Sequence, residues 1–189
     1  MPAGYYSLEN TDPTTMDAQP FITTACPVGN YCPAGSFAPV KCPAGTFRNN
    51  LYGTDNTSCG KCPAGTYCPD EGMNVPTVCD QGSFCPEGSQ RTQPCPRGTY
   101  GAAPGLYDSR GCTECTAGYY CPFLGQTAVD TVNHICDKGY YCEGGAYRPE
   151  PTDDTTGNRC PAGRYCPAGT GAPENCPKGE YGPYVGAND

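Results

Sequence analysis

The chain has 189 residues, enough for one or two ordinary domains, but Leu, Ile, Val and Phe number only 18 while Gly and Pro number 26 and 22. That composition excludes a conventional apolar core, because too little apolar surface is available to offset chain entropy. The formal net charge of −8 argues against a nucleic-acid partner, which needs a basic patch, and fits a hydrated, soluble surface.

Cysteine supplies what the core lacks. Seventeen cysteines give a density typical of disulfide scaffolds, which persist in oxidising compartments. The reading is therefore an extracellular or cell-surface protein. Zinc is the rival use of so many cysteines, and it fits poorly. There is a single histidine, His134, and the two C-x2-C pairs, Cys59/Cys62 and Cys112/Cys115, lie 53 residues apart. No apolar run approaches the roughly 20 residues of a membrane span. Residues 1–20 hold no hydrophobic signal core, so the signal of a secreted form would lie outside this sequence.

From the N-terminus onward the chain is a repeat. Met1-Pro2-Ala3-Gly4-Tyr5-Tyr6 opens it, with Met in a place that cysteine takes later. The anchor C-x2-G-x-[YF] then starts at Cys26, Cys42, Cys62, Cys79, Cys95, Cys115, Cys136, Cys160 and Cys176. An aromatic stands five residues on in every copy: Tyr6, Tyr31, Phe47, Tyr67, Phe84, Tyr100, Tyr120, Tyr141, Tyr165 and Tyr181. We number these repeats one to ten.

A longer period lies above this one. Cys26, Cys32, Cys42, Cys59, Cys62 and Cys68 map onto Cys79, Cys85, Cys95, Cys112, Cys115 and Cys121, each 53 residues later. The organisation expected is a partial repeat without cysteines at 1–25, super-repeats at 26–78 and 79–135, an extra unit at 136–159, and the start of a third super-repeat at 160–189. Cys176 has no follower and is expected to be unpaired within the chain. A segment of a longer repeat protein, or a subunit whose ends are ordered by neighbours, would read this way.

In each anchor, as in Cys62-Pro63-Ala64-Gly65, proline at the second place and glycine at the fourth predict a type I turn over C-P-A-G. The following Thr-Tyr is β-prone. Each repeat is then a tight turn, a short strand and an irregular loop, with little or no helix. Thr127–Ile135, the one stretch open to another reading, favours strand through its Thr and Val content. Repeats of this size touch mainly their neighbours, which predicts an elongated rod.

Cys42 and Cys59 enclose 16 residues without another cysteine, as do Cys95 and Cys112, and these two pairings are expected. The C-x5-C doublets stay open. Cys26/Cys32, Cys62/Cys68, Cys79/Cys85, Cys115/Cys121, Cys136/Cys142 and Cys160/Cys166 can each close internally, pair onward (Cys68 to Cys79, for example), or cross. Ser7 fills the second cysteine place of the first repeat, whose first place holds Met1, and this joint loss leans towards internal pairing. The ten aromatics are read as structural, covering bridges and prolines, rather than as a sugar-stacking ladder.

The tandem CPAGTYC, CPAGTF and CPRGTY units resemble the ephrin-receptor-like cysteine-rich repeat, and more loosely the cysteine-rich modules of tumour-necrosis-factor receptors. The resemblance spans nearly the whole chain. It implies that C-x2-G-x-[YF] opens a disulfide loop, which supports Cys42–Cys59; the C-x5-C doublets depart from the receptor modules. It also implies a cell-surface setting, since long arrays of this repeat occur on surface proteins of flagellated and ciliated single-celled eukaryotes, mastigoneme (flagellar-hair) proteins among them.

No catalytic constellation is readable, and the expectation is a protein that is not an enzyme. His134 reads as a lone surface residue in a loop. Cys59-Gly60-Lys61-Cys62 lacks the βαβ setting of a redox motif. Asp153-Asp154 lacks EF-hand spacing and reads as a solvated loop. No metal or other cofactor is expected. Covalent glycans are: Asn56-Thr57-Ser58 is an N-glycosylation sequon, and the Thr-rich segments 11–24 and 152–156 suit O-glycans. The first functional expectation is an extracellular structural repeat forming a rod, stalk or filament by head-to-tail self-association. The second is a receptor or adhesion ectodomain that binds a protein or glycan ligand, with the odd unit at 136–159 as the place to look.

Overall fold

A computed structural model of the chain describes residues 1–7, 23–180 and 185–186. It contains two compact bodies: Met1–Val78 with Cys85–Thr92, and Cys79–Phe84 with Gln93–Asp189. The fold is a tandem array of small disulfide-rich repeats with short antiparallel hairpins.

In the first body, β1 (Tyr5–Ser7) pairs with β2 (Thr23–Ala25), β3 (Asn30–Tyr31) with β4 (Val40–Lys41), β5 (Thr46–Phe47) with β6 (Gly60–Lys61), and β7 (Thr66–Tyr67) with β8 (Thr77–Val78). In the second, β9 (Ser83–Phe84) pairs with β10 (Gln93–Pro94) and β11 (Thr99–Tyr100) with β12 (Thr113–Glu114). There too, β13 (Tyr140–Cys142) pairs with β14 (Gly157–Arg159), and β15 (Arg164–Tyr165) with β16 (Glu174–Asn175). The rule is constant: the residues that end on the anchor aromatic pair with the residues just before the next anchor. Repeat seven reduces its hairpin to one bridge, Tyr119 to Ile135.

The anchor turn differs from the one expected. Its closing hydrogen bond runs from the Thr46 N–H to the Pro43 carbonyl at 3.1 Å, and from Thr66 to Pro63 at 3.0 Å. The turn is therefore P-A-G-T, one residue later than C-P-A-G, with glycine third. Gly45 and Gly65 have φ of +82° and +84°, which a type II turn demands at that place and a type I turn does not. The Thr hydroxyl adds a second bond to the same carbonyl, 2.6 Å at both Thr46 and Thr66. The strand expected at Thr127–Ile135 is also absent. Asp130 there accepts from the Val132 and Asn133 N–H groups and from the Asn133 amide, and this local capping favours a turn over a ladder.

Bridges take the place of a core. Cys42 bonds Cys59 and Cys95 bonds Cys112; the doublets close internally as Cys26–Cys32, Cys62–Cys68, Cys115–Cys121, Cys136–Cys142 and Cys160–Cys166. Cys79 and Cys85 are disulfide-bonded as well. Nearly all of these cysteines are buried, and Ala146 and Pro151 are the other fully buried apolar side chains among the described residues. The 53-residue period extends to detail: 3-10 turns at Asn56–Ser58 and Ser109–Gly111 occupy equivalent places inside the two long disulfide loops. Each is capped by an aspartate, Asp55 or Asp108, whose carboxylate accepts a backbone N–H two residues on.

Candidate functional site

The feature that recurs along the described repeats is a seat for the anchor glycine. It is built from backbone. Gly4 donates its N–H to the Cys32 carbonyl, and its own carbonyl accepts from the Cys26 N–H, at 2.8 and 2.9 Å. Gly29 does the same with Arg48 and Cys42, and Gly45 with Cys68 and Cys62. In the second body Gly82 uses Gly101 and Cys95, Gly98 uses Cys121 and Cys115, Gly118 uses Cys142 and Cys136, and Gly139 uses Cys166 and Cys160. Each glycine thus docks on the first residue of the following repeat and on the residue six places beyond it. A return bond runs from the next repeat's second glycine to the anchor cysteine carbonyl, as from Gly72 to Cys42 and from Gly145 to Cys115.

The repeat two steps on completes the seat. A Cβ at Gly29 would overlap the Gly72 carbonyl oxygen, one at Gly98 that of Gly145, and one at Gly45 would come within 2.6 Å of the Gly88 oxygen. Contact therefore extends beyond adjacent repeats, where the sequence placed the main contacts. The signal was present: a second glycine, such as Gly72, Gly88, Gly125, Gly145 and Gly169, follows its anchor cysteine by nine or ten residues. These contacts place Gly4, Gly29, Gly45, Gly82, Gly98, Gly118 and Gly139 in buried positions with left-handed φ.

The anchor aromatics from Tyr6 to Tyr165 are half-buried, and Tyr181 lies outside the described residues. Tyr120 packs on the Cys136, Cys142 and Ala146 cluster. The Tyr165 hydroxyl donates to Glu174 across β15–β16 at 2.7 Å, and that bond raises its pKa. His134 is not the plain surface residue expected. It is half-buried, with its ring 5.0 Å from Tyr120 and 5.6 Å from Phe123, and its Nδ1 is buried without a partner.

The remaining polar candidates are occupied locally. Asp153 accepts from the Thr155 and Thr156 N–H groups and from the Thr156 hydroxyl. No group of three potential metal ligands occurs among the described residues. Asn56 is exposed at the start of its 3-10 turn, while the Ser58 hydroxyl of the same sequon accepts from the Thr54 N–H at 3.1 Å. Thr11–Phe21, within the N-terminal Thr-rich stretch, lies outside the described residues. Cys176 is half-buried and free.

Among the described residues, a cavity lies in the first body. It measures about 360 Å³ and is lined by Met1, Pro2, Ser7, Thr23, Gly35 and Phe37. The Ser7 hydroxyl is buried there without a hydrogen-bond partner, and Phe37 is 65% exposed.

Seat and bridges together define a disulfide-rich tandem-repeat protein. Bridges at this density indicate an oxidising environment. No helix among the described residues is long and apolar enough to cross a membrane. No family model matches the chain, and comparison with curated proteins finds no match.

Proposed function

We propose that this chain is an extracellular structural protein, a stretch of rod, stalk or filament at the cell surface, carrying an N-glycan on Asn56. One observation carries the reading. The most repeated contact in the molecule is the binding of one repeat by the next, made by backbone groups at equivalent places in repeats one to nine. Such a contact propagates an array without needing a specific side chain, which suits a scaffold. The resemblance to ephrin-receptor-like repeats in surface and flagellar-hair proteins supports the same setting.

Electron microscopy of the native material tests this directly. Extended particles or fibres are expected, and isolated compact monomers would sink it. Enzymatic deglycosylation should lower the mass of the secreted protein, and the Asn56→Gln variant should show no such change.

A receptor or adhesion ectodomain is the second reading. It is favoured by one local observation, the exposure of Phe123, Leu124 and Val132 at 61%, 59% and 76%. Alanine at all three should abolish capture of a ligand if that reading holds.

A further inference from the structure

We propose that closure of the Cys42–Cys59 bridge gates sugar transfer to Asn56: the sequon accepts an oligosaccharide while the loop is open and is withdrawn once the bridge forms. The proposal rests on the reading of Asn56 as an acceptor and adds from which state of the chain the transfer occurs.

The chemistry sets what must be free. The Asn56 amide nitrogen bonds to the anomeric carbon of a lipid-pyrophosphate-linked oligosaccharide. The bond from that carbon to the phosphate oxygen breaks, the lipid pyrophosphate leaves with the electron pair, and the amide gives up one proton. The transferring enzyme reads a hydroxyl two residues on, which is why the motif demands Ser or Thr there. It must hold Asn56, the Thr57 backbone and the Ser58 hydroxyl together, with none of them engaged elsewhere.

In the closed loop they are engaged. The Ser58 hydroxyl accepts from the Thr54 N–H at 3.1 Å and from the Asp55 N–H at 3.4 Å. The Asp55 carboxylate takes the Thr57 N–H and the Thr57 hydroxyl, at 2.9 and 2.6 Å. The Asn56 carbonyl accepts from the Cys59 N–H at 3.1 Å, and the Ser58 carbonyl from the Arg48 guanidinium at 2.8 Å. The three residues are wound into a 3-10 turn, which draws their ends together instead of presenting an open segment. Asn56 is itself exposed, so the loop withholds the sequon by shape and hydrogen bonding, not by burial.

The bridge keeps that turn wound. Cys59 follows Ser58 directly and is bonded to Cys42, and Gly60 and Lys61 beyond it pair with Phe47 and Thr46. Among the described residues Cys59 is also the disulfide-bonded cysteine that is not buried. A reductant or an isomerase therefore reaches this bridge more readily than the others.

The duplicate loop is a control within the molecule. Asp108 caps Ser109-Arg110-Gly111 ahead of Cys112 in the same kind of 3-10 turn. The turn thus forms with neither an asparagine at its first place nor a hydroxyl at its third. Asn56 and Ser58 are surplus to the fold, and together they make the acceptor.

The test uses a purified oligosaccharyltransferase and a lipid-linked oligosaccharide on the full 189-residue chain, made without sugar and oxidised. Wild type is compared with Cys42→Ser/Cys59→Ser and with Cys95→Ser/Cys112→Ser, which opens the equivalent loop; mass spectrometry verifies the remaining bridges in each. Transfer to Asn56, read on the glycopeptide, should be about tenfold or more faster in the first variant than in wild type, because the loop constraint is gone. The second variant should match wild type.

Equal rates on oxidised wild type and Cys42→Ser/Cys59→Ser would overturn the gate and leave Asn56 as an acceptor. Equal acceleration in both variants would overturn it as well, since general loosening would then expose the sequon. No transfer to any form, the fully reduced chain included, would remove the acceptor reading and the gate with it, and would leave the structural role of the array standing.

Discussion

Gly29 of the second repeat rests against the carbonyl of Gly72 in the fourth, so closely that a Cβ at 29 would overlap the oxygen. Backbone meets backbone, and neither side can yield by turning a side chain. Gly29→Ala should therefore cost about 3 kcal/mol or more, combining left-handed strain with overpacking. Gly35→Ala has the same kind of φ, +82°, but open space, and should cost only about 1–2 kcal/mol. Urea denaturation of the oxidised proteins measures both, and equal losses would contradict the two-step contact.

The bridges should differ in worth by loop length. Replacing Cys42 and Cys59 together by serine opens a loop of sequence separation 17 and should cost about 3 kcal/mol; replacing Cys62 and Cys68, separation 6, should cost nearer to about 2 kcal/mol. The first change should also release the Asn56–Ser58 turn, which the Arg48 guanidinium tethers through the Ser58 carbonyl at 2.8 Å. Faster amide exchange at Ser58 and Cys59 reports that release. Full reduction should unfold the chain outright, since the cysteines are nearly the whole buried apolar set; loss of protease resistance in reductant checks this.

Acid should loosen the turns before it breaks the bridges. The Asn133 side chain, with the Asn133 and Val132 N–H groups, holds the Asp130 carboxyl down to about 2. Asp55, Asp108 and Asp153 are lowered as well, chiefly by bonds from Thr57, Arg110 and Thr156. A folded pKa below the unfolded value of about 3.9 means stabilisation that is complete above about pH 4 and fades as pH falls towards the folded value. Carbon-detected NMR titration of Asp130 should give a midpoint near 2, with the Val132 and Asn133 amides losing protection over the same interval. Ordinary titration near 4 would remove the capping role.

The Arg110–Asp108 pair, with nitrogen and oxygen 2.7 Å apart, is exposed on the arginine side at 89%. Arg110→Ala should leave the melting temperature nearly unchanged, because an ion pair this exposed is screened by solvent. Asp108→Ala should lower it more, because it also removes the cap of the Ser109–Gly111 turn. Thermal melts of the two variants separate the ion pair from the cap.

The repeat fold was legible because its determinants are local and periodic. Cys, Pro, Gly and an aromatic at fixed offsets announce a turn followed by a strand, and six cysteine offsets of 53 announce duplication. The turn type was misread because proline and glycine fit two frames one residue apart. The left-handed φ at Gly45 decides between them, and no composition rule reports it. Doublet pairing was open because internal and onward closure both make short loops of similar entropy. The seat was missed because it joins repeats two steps apart, through carbonyls that carry no side-chain signature. At Thr127–Ile135, Asp130 capping outweighed the strand propensity of Thr and Val.

The bridges Cys26–Cys32, Cys42–Cys59, Cys62–Cys68, Cys95–Cys112, Cys115–Cys121, Cys136–Cys142 and Cys160–Cys166 each close within a single repeat, while the glycine-seat bonds between repeats are non-covalent. Oxidation therefore carries no record of which repeat sits on which. A newly made chain whose anchor turns settle in the wrong seats can slide back without reducing a single cystine. Proofreading of the array falls to the glycine seats, and a thiol–disulfide isomerase has only local errors to repair.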